Sequence, residues 1–419
     1  MNMLLYAPQL TGHPQVYVRV ITRALLTAGH HVTVACPAQK QDWLDHWPNL
    51  RGLADEDGVR CLDSRNYTGG GQGHATVEQL VTIQKEAQAD ATLLIEADGL
   101  ADEFRRMAAD ESLRLRGRVA AIFSRTSAWY PREDFYTGEV EPMIGPTVRR
   151  TLGRAKRALF NRRASAHYFY ESILLKHRLV DALIVKDERL PPRYGAPVTW
   201  MPEIYRVFDV REDERRHADW HQFADPVQEY VRQAGPDNVL LYFGTGAWYK
   251  GYDWFLKLAL DAPGTYALHA GAPERGEPGK RYDHDVMSLR DELLRQGRLF
   301  ETRAFIKSED LVDLLFASIS RFVSTHRLSM SSGTLLQALE AGKPVLTPAS
   351  GLVGWRTKTH RLGMTYPYGD AAGLRTAWQS FRRGAGDPVK SDLASFIRRF
   401  SRDAVEDFFV GVMEGRIPS

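Results

Sequence analysis

Short apolar runs recur along the first half of the chain, and amphipathic stretches separate several of them. The runs are residues 2–7, 31–37, 92–97, 118–124, 182–186 and 197–202. Because they are apolar throughout rather than alternating, they favour strands that are buried on both faces of a parallel sheet. Between some of them, apolar residues at helical spacing predict helices over Val16 to Thr27, Ala75 to Gln88 and Leu100 to Ala109.

The second half of the chain repeats this plan. Strand-like runs occur at residues 238–244, 265–271, 298–306, 320–325 and 344–350, with amphipathic segments between them. Strand–helix alternation twice over predicts an α/β chain of two doubly wound, Rossmann-like domains that face a cleft. Ligands of such sheets bind beyond the carboxyl ends of the strands, so we expect the chemistry in the strand-to-helix loops.

The domain boundaries follow from a change in composition near the middle of the chain. The stretch from Arg206 to Asp237 is polar and rich in charge, and it predicts an interdomain connection. We expect an N-terminal domain over 1–205, a C-terminal domain over 206–385 and a last segment over 386–419. A final helix, at about Ser391 to Met413, could cross back to the first domain.

Composition excludes several classes of protein. The 419 residues are too many for one ordinary core, and no apolar run approaches the ~20 residues needed to cross a bilayer. Two cysteines without a CxxC pair suit a reducing cytoplasm, and the 13 histidines show no HExxH spacing, so we predict no metal. A net charge of +3 is too weak to indicate nucleic acid as a partner.

A loop rich in small residues opens one of the predicted helices of the second half. It begins at Ser329 and continues through Ser331, Ser332, Gly333 and Thr334. The first N–H groups of a helix have no intrahelical acceptor, so a diphosphate would fit there. Ser and Thr are also the commonest residues at an ordinary N-cap, and the sequence leaves that alternative open.

This segment, G-T-L-L-Q-A-L-E-A-G-K-P-V, resembles the donor-binding helix of GT-B glycosyltransferases, especially the retaining family-4-type enzymes. Upstream, residues 240–260 resemble the "G-R-x-x-x-x-K-G" strand–loop–helix of that family, and residues 299–325 resemble its next strand and helix. The N-terminal strand, loop and helix, followed by AGHHVTVACP, are similar to the family's opening. The resemblance implies that residues 1–205 bind the acceptor and residues 206–385 bind a nucleotide sugar.

The resemblance also implies roles for single residues. Lys250 takes the place of the lysine that contacts the donor diphosphate, and Gln337 the place of the acid that binds the ribose. The other donor-binding positions that it implies are Gly12, His13, Gly244, Thr245, Phe305, Ile306, Ser329, Ser331, Ser332, Gly333 and Thr334. Thr245 replaces the arginine of the pattern and Ser329 its first acid, so the charged donor set is incomplete.

The acceptor side offers three candidates for catalytic residues. Glu96 and Asp98 follow a strand and could act as a base or orient a sugar, and Arg125 could bind an anionic acceptor. Asp98 could instead cap the next helix, and Arg125 could be a packing residue.

The segment Arg149–Arg163 carries seven basic residues and no acid, with Leu152, Leu159 and Phe160 interleaved. Such a segment can lie on an anionic membrane surface, although a solvated helix face is the alternative.

The resemblance implies a glycosyltransferase, and the composition suits a cytoplasmic one, with a peripheral location on the inner membrane face as an added expectation. Its co-substrate would be a nucleoside-diphosphate sugar, with no other cofactor. Its acceptor would be a hydroxyl of a glycan or lipid-linked saccharide in surface polysaccharide synthesis. A non-catalytic GT-B subunit that supports a partner enzyme, or a sugar-nucleotide epimerase, are the alternatives.

Overall fold

The computed structural model describes residues 1–10, 13–39, 41–42, 50, 52–53, 56–68, 75–124, 170–208, 210, 215–247, 250–272, 281–327 and 331–416. These residues divide into two compact units. The first unit takes in residues up to 124, residues 170–208 and residues 399–416, and the second takes in residues 210–398.

The first unit is built on a seven-stranded sheet in the order β3-β2-β1-β4-β5-β6-β7, and every pairing between its strands is parallel. The strands are β1 (Asn2–Tyr6), β2 (His31–Cys36), β3 (Val59–Asp63), β4 (Ala91–Leu94), β5 (Arg118–Phe123), β6 (Ala182–Val185) and β7 (Val198–Trp200). All six apolar runs of the first half lie on strands, as predicted. The sequence did not indicate β3, because this edge strand is only partly buried and carries polar residues.

Helices cover both faces of this sheet. They are α1 (His13–Thr27), α2 (Arg65–Thr68), α3 (Val77–Glu86), α4 (Ala101–Ala109), α5 (Pro191–Tyr194) and, from the far end of the chain, α14 (Arg402–Glu414). The apolar face of α14 places Val405, Phe408, Phe409 and Val412 in one core cluster with Leu5 of β1 and Ile21 of α1. Residues from the opposite ends of the described chain therefore share one hydrophobic core.

The second unit contains two three-stranded parallel sheets, β10-β9-β8 and β11-β12-β13. The strands are β8 (Val239–Phe243), β9 (Tyr266–Ala270), β10 (Leu299–Glu301), β11 (Phe322–Val323), β12 (Val345–Pro348) and β13 (Gly363–Tyr366). The two sheets adjoin along β8 and β11. Strand β13 was not predicted from the sequence, because three of its four residues are only half-buried.

The helices of the second unit are α6 (Ala218–Ala234), α7 (Tyr252–Asp261), α8 (Arg281–Arg295), α9 (Glu309–Ser318), α10 (Gly333–Glu340), α11 (Gly351–Thr359), α12 (Ala371–Phe381) and α13 (Lys390–Arg398). Among the helices of the described part of the chain, none is both long and apolar enough to cross a bilayer.

The structure adds detail to two connecting segments. Much of the polar stretch over 206–237 is the helix α6, because Phe223, Val227 and Val231 lie on one helical face and are buried despite Pro226. The single final helix is two helices, α13 and α14. Ser401 separates them by capping α14, where its Oγ accepts a hydrogen bond from the amide of Ala404 at 3.3 Å.

Candidate functional site

The second unit has a point at which its strand order reverses. From β8 the chain proceeds outward to β9 and β10, and from β11 it proceeds outward in the other direction to β12 and β13. In open parallel sheets, ligands bind beyond the carboxyl ends of the strands that flank such a point. The loops that follow Phe243 and Val323 are therefore the place to look for a site.

A small cavity opens there, and the empty space in and above it, open solvent included, is about 240 Å³. Its walls come from the ends of β8 and β11, from the loop that leads to α7 and from the first turn of α10. The lining residues are Leu241, Tyr242, Phe243, Lys250, Phe322, Val323, Ser324, Thr325, His326 and Thr334. The structure thus brings Lys250 and the amino end of α10 to one cavity.

Backbone packing fixes the position of Lys250. The next residue, Gly251, has φ +69°, and a Cβ built on it would lie 1.9 Å from the carbonyl oxygen of Thr325. The hydroxyl of Thr325 donates to the carbonyl of Lys250 at 3.2 Å. Only glycine allows this left-handed approach, so the loop before α7 is held against the end of β11. Burial lowers the pKa of the Lys250 amine.

Gly244 follows β8 and lies beside this lysine. A Cβ on Gly244 would lie 2.9 Å from Lys250 Nζ. A side chain at position 244 would therefore clash with the Lys250 ammonium, and glycine leaves that space open. The following residue, Thr245, is half-buried, and its carbonyl accepts a hydrogen bond from the hydroxyl of Tyr242 at 3.2 Å. Thr245 is not among the residues that line the cavity.

A buried polar network contacts the backbone at the end of β8. His269 Nε2 lies 3.0 Å from the carbonyl oxygen of Gly244, and its Nδ1 lies 3.0 Å from the hydroxyl of Tyr252. A carbonyl can only accept, so Nε2 carries the hydrogen. Although burial alone would raise the pKa of Glu301, His269 and Arg290 lower that pKa to about 2. The network therefore carries a permanent carboxylate that orients Tyr252 and His269.

A buried ion pair joins the two loops of the site. Asp253 on α7 and Arg327 after β11 are 4% and 6% exposed, and Arg327 Nη1 donates to Asp253 Oδ1 at 2.6 Å. The second guanidinium nitrogen contacts the other carboxylate oxygen. This bidentate geometry neutralises both charges and fixes the loop after β11 relative to α7.

The amino end of α10 is capped by its own chain. Ser332 is the N-cap residue, and its Oγ accepts from the amide of Leu335 at 3.3 Å and lies 3.0 Å from Thr334 Oγ1. Thr334 reaches the cavity, whereas Ser331, Gly333 and Gln337 are half-buried outside its lining. The amides of Gly333 and Thr334 precede the first i→i−4 donor of the helix, the amide of Leu336, so they present partial positive charge.

Phe305 and Ile306 follow β10, which β9 separates from β8. Phe305 is 73% exposed and Ile306 is 7% exposed, and neither lines the cavity. Asp219 holds the end of this loop, because its Oδ2 accepts from the amides of Lys307 and Ser308 at 2.7 and 3.1 Å. The structure therefore places an exposed aromatic face at the end of β10 rather than at the cavity.

In the first unit, Glu96 lies at the reversal between β1 and β4. It has φ 54°, a left-handed conformation that is uncommon outside glycine and costs about 1–3 kcal/mol. The amide of Gln9, which follows β1, donates to its carboxylate. Asp98 does not cap a helix, as one alternative had it. Instead, its Oδ2 accepts from the amide of Ser124 at 2.8 Å and joins the ends of β4 and β5.

A charged cluster near Glu96 was not found by sequence reasoning. It consists of Tyr17 on α1, Lys186 at the end of β6 and Glu203 after β7, all buried, with Lys186 Nζ 5.0 Å from the centre of the Tyr17 ring. Burial would lower the pKa of Lys186, but Tyr17, Glu203 and Glu96 raise it above its ordinary value. The sequence does carry one signal for this cluster, because Lys186 is a charged residue directly after a buried strand.

Several predicted residues lie outside the part of the chain that the structure describes. They are Gly12, Arg125, Ser329 and the basic segment Arg149–Arg163. His13 begins α1. Across the described ranges, no three His, Cys, Asp or Glu side chains converge as metal ligands would.

No protein-family profile matches the chain, and no curated protein is similar to it in sequence. Solved structures are similar to it over nearly its whole length. A glycosyltransferase from Rickettsia africae superposes with a TM-score of 0.61 at 9% identity, covering 99% of this chain and 98% of that chain. Sucrose-phosphate synthase from Thermosynechococcus elongatus gives 0.60 at 13% identity, with coverage of 99% and 98%. HepE from Anabaena in complex with UDP gives 0.59 at 12% identity, with coverage of 99% and 100%.

Identities this low show the fold and leave the activity open. The chain has the GT-B fold of these glycosyltransferases, with parallel α/β sheets, which confirms the predicted fold class. The family-4 assignment and the retaining stereochemistry stay predictions.

Proposed function

We propose that this protein transfers a sugar from a nucleoside-diphosphate sugar to a hydroxyl acceptor. The observation that carries the proposal is the convergence of Lys250 and the first turn of α10 on one cavity at the strand reversal of the second unit. A buried lysine and a helix amino end are together suited to a diphosphate. A similar structure, that of HepE, holds UDP, and in another crystal it holds UDP-glucose.

In the proposed mechanism, the residues of the second unit act on the leaving group. As the bond from the sugar to the diphosphate breaks, negative charge accumulates on the departing nucleoside diphosphate. The Lys250 ammonium and the amide of Thr334 stabilise that charge from fixed positions. Burial lowers the pKa of Lys250, and a bound diphosphate opposes this by favouring the charged amine.

The first unit supplies the acceptor side of the proposal. Glu96 is held in a strained conformation at the strand reversal, with Gln9 on its carboxylate. We assign it to accept the proton of the acceptor hydroxyl or to orient the acceptor sugar. Asp98 is assigned to hold the strand ends in place, because its carboxylate is occupied by the amide of Ser124.

Calorimetric titration with UDP, GDP and dTDP tests the donor site. Lys250→Met should weaken the binding of the preferred nucleotide by about 10- to 100-fold, which is the loss of a charge-assisted hydrogen bond. Lys257→Met is the matched control, since this lysine lies on α7, does not line the cavity, and pairs with Asp261 at 3.0 Å. Absence of nucleotide binding, or equal affinities of the two variants, would refute the donor site.

A turnover assay with radiolabelled donors separates transfer from the alternatives. Sugar transfer to a glycan or lipid-linked acceptor supports the enzyme, and the anomeric configuration of the product reports whether it retains or inverts. Nucleotide binding without transfer or hydrolysis over a broad acceptor panel would identify a non-catalytic subunit. Release of an altered sugar without an acceptor would identify an epimerase.

A membrane-linked acceptor is the further part of the proposal, together with a cytoplasmic location at the inner membrane face and a role in surface polysaccharide synthesis. Its support is the sequence of Arg149–Arg163 alone. Binding to vesicles with anionic lipid should exceed binding to neutral vesicles and should fall with salt. Replacing the seven basic residues with Gln should abolish this difference, and equal sedimentation with both vesicle types would contradict it.

A further inference from the structure

The donor cavity contains a second basic side chain that the sequence did not single out. His326 follows β11 and lines the same cavity as Lys250. Its Nδ1 lies 2.9 Å from Ser324 Oγ, and the carbonyl of Ser324 accepts a hydrogen bond from the hydroxyl of Tyr366 at 3.1 Å. The imidazole is therefore held in place by its own strand end and by β13.

The charges around this imidazole come from several elements. Of the cavity-lining side chains, the titratable ones are Tyr242 from β8, Lys250 from the loop before α7, and His326 itself. The Asp253 and Arg327 pair of α7 and the β11 loop neutralises itself, and α10 contributes the uncharged Thr334. Burial, and secondarily the charge of Lys250, lower the pKa of His326 to about 4.

The imidazole is accordingly neutral at physiological pH in the ligand-free cavity. A diphosphate would oppose the effect of both causes, because its negative charge compensates the charge of Lys250 and stabilises the charged imidazole that burial disfavours. Two positive groups in one small cavity repel each other without an anion and cooperate when one is present. Proton uptake by the protein is the expected consequence of anion binding.

We propose that His326 is a second cationic ligand of the donor diphosphate and that it takes up a proton when the diphosphate binds. The inference rests on the proposed function, because it assigns the diphosphate of the donor to this cavity. It adds to that function a dependence of donor affinity on pH and a positive charge that the cavity presents only when it is occupied.

The sign of the effect follows from linkage. A group whose pKa is raised by a ligand makes that ligand bind more tightly as the pH falls through the raised pKa. If the diphosphate returns His326 from about 4 to its ordinary value of 6.5, the affinity at pH 5.5 exceeds that at pH 7.5 by about tenfold. Protonation of the nucleotide's own terminal phosphate works in the opposite direction, because it removes negative charge from the ligand.

The test is calorimetric titration of the full chain between pH 5.5 and 7.5, with the glucose ester of whichever of UDP, GDP and dTDP binds best, because an esterified diphosphate has no group that titrates in this range. Each titration is repeated in buffers of different ionisation enthalpy, which reports the protons taken up. We expect wild-type protein to take up a substantial fraction of one proton near pH 6 and to bind about tenfold more tightly at pH 5.5. His326→Gln should lose both effects, whereas the control His221→Gln, on exposed surface of α6, should keep them.

The outcomes separate this inference from the proposed function. If none of the three nucleotides binds wild-type protein at any pH, both fail. If a nucleotide binds and Lys250→Met weakens it, but wild-type protein takes up no proton, the inference alone fails. Proton uptake that persists in His326→Gln also overturns it. The wild-type measurement decides the matter even if His326→Gln does not fold.

Discussion

The substitution Gly251→Ala should damage the second unit far more than the loss of an ordinary loop glycine would. The residue adopts φ +69° at the start of α7. A methyl group at this position would lie 1.9 Å from the carbonyl oxygen of Thr325 and 2.8 Å from its carbonyl carbon. Both neighbours are backbone atoms of the strand end, so they can move only if β11 or the loop before α7 moves.

The magnitude has two parts. An L-residue in the left-handed conformation costs about 1–2 kcal/mol. Forcing a methyl group into a filled space costs about 1–3 kcal/mol more. Gly297 provides the matched control, since it has φ +66° in the same unit and a Cβ there would meet nothing within 4 Å. The free energy of unfolding should therefore fall only by the conformational cost in Gly297→Ala. In Gly251→Ala it should fall by both costs.

The two variants can be compared by urea unfolding monitored by circular dichroism. A difference of about 2 kcal/mol moves the midpoint by about 1 M urea at a typical denaturant dependence. The affinity for a nucleoside diphosphate should fall only in Gly251→Ala, because Lys250 is the neighbouring residue. If the two variants unfold at the same urea concentration, the close approach to Thr325 does not hold this loop, and the argument for the placement of Lys250 fails.

Two further predictions concern buried charge in the same unit. Arg327→Met should lower the free energy of unfolding by about 3–5 kcal/mol, because it leaves the charge of the buried Asp253 uncompensated. Adding Asp253→Leu should recover much of that loss. Equal urea midpoints for the single and the double variant would contradict this account. Glu301 has its pKa lowered from 4.5 to about 2, so its ionisation adds stability above pH 4.5 that is lost as the pH falls toward 2. That contribution is about 3 kcal/mol, and the acid-unfolding curve of Glu301→Gln should be flatter over this range, whereas an unchanged curve would exclude the effect.

Strands with uniform apolar sequence were predictable because burial on both faces leaves no room for polar residues. Strands β3 and β13 were missed for the converse reason, since each lies at the edge of its sheet and is partly exposed. The helix α6 was not predicted because its charge and Pro226 outweighed the spacing of Phe223, Val227 and Val231. Pattern alone does not show how much apolar area a neighbouring helix will cover.

The site could be predicted in part. Lys250 and Thr334 follow different strands, and the rule that parallel strands end at one edge predicts that they meet. His326 carries no such signal, because its significance depends on the burial and the charge that surround it after folding. Lys186 and Glu203 are alike in this respect, since they lie 17 positions apart and come together only through the pairing of β6 with β7.

The position of α14 has a consequence for biosynthesis. The apolar face of this helix completes the core of the first unit, yet residues 402–414 leave the ribosome after the whole second unit. All the described residues of the second unit precede α14 in the sequence, so this unit can fold while synthesis continues. The sheet of the first unit is synthesised earlier, but part of its hydrophobic core stays exposed to solvent until α14 has been synthesised.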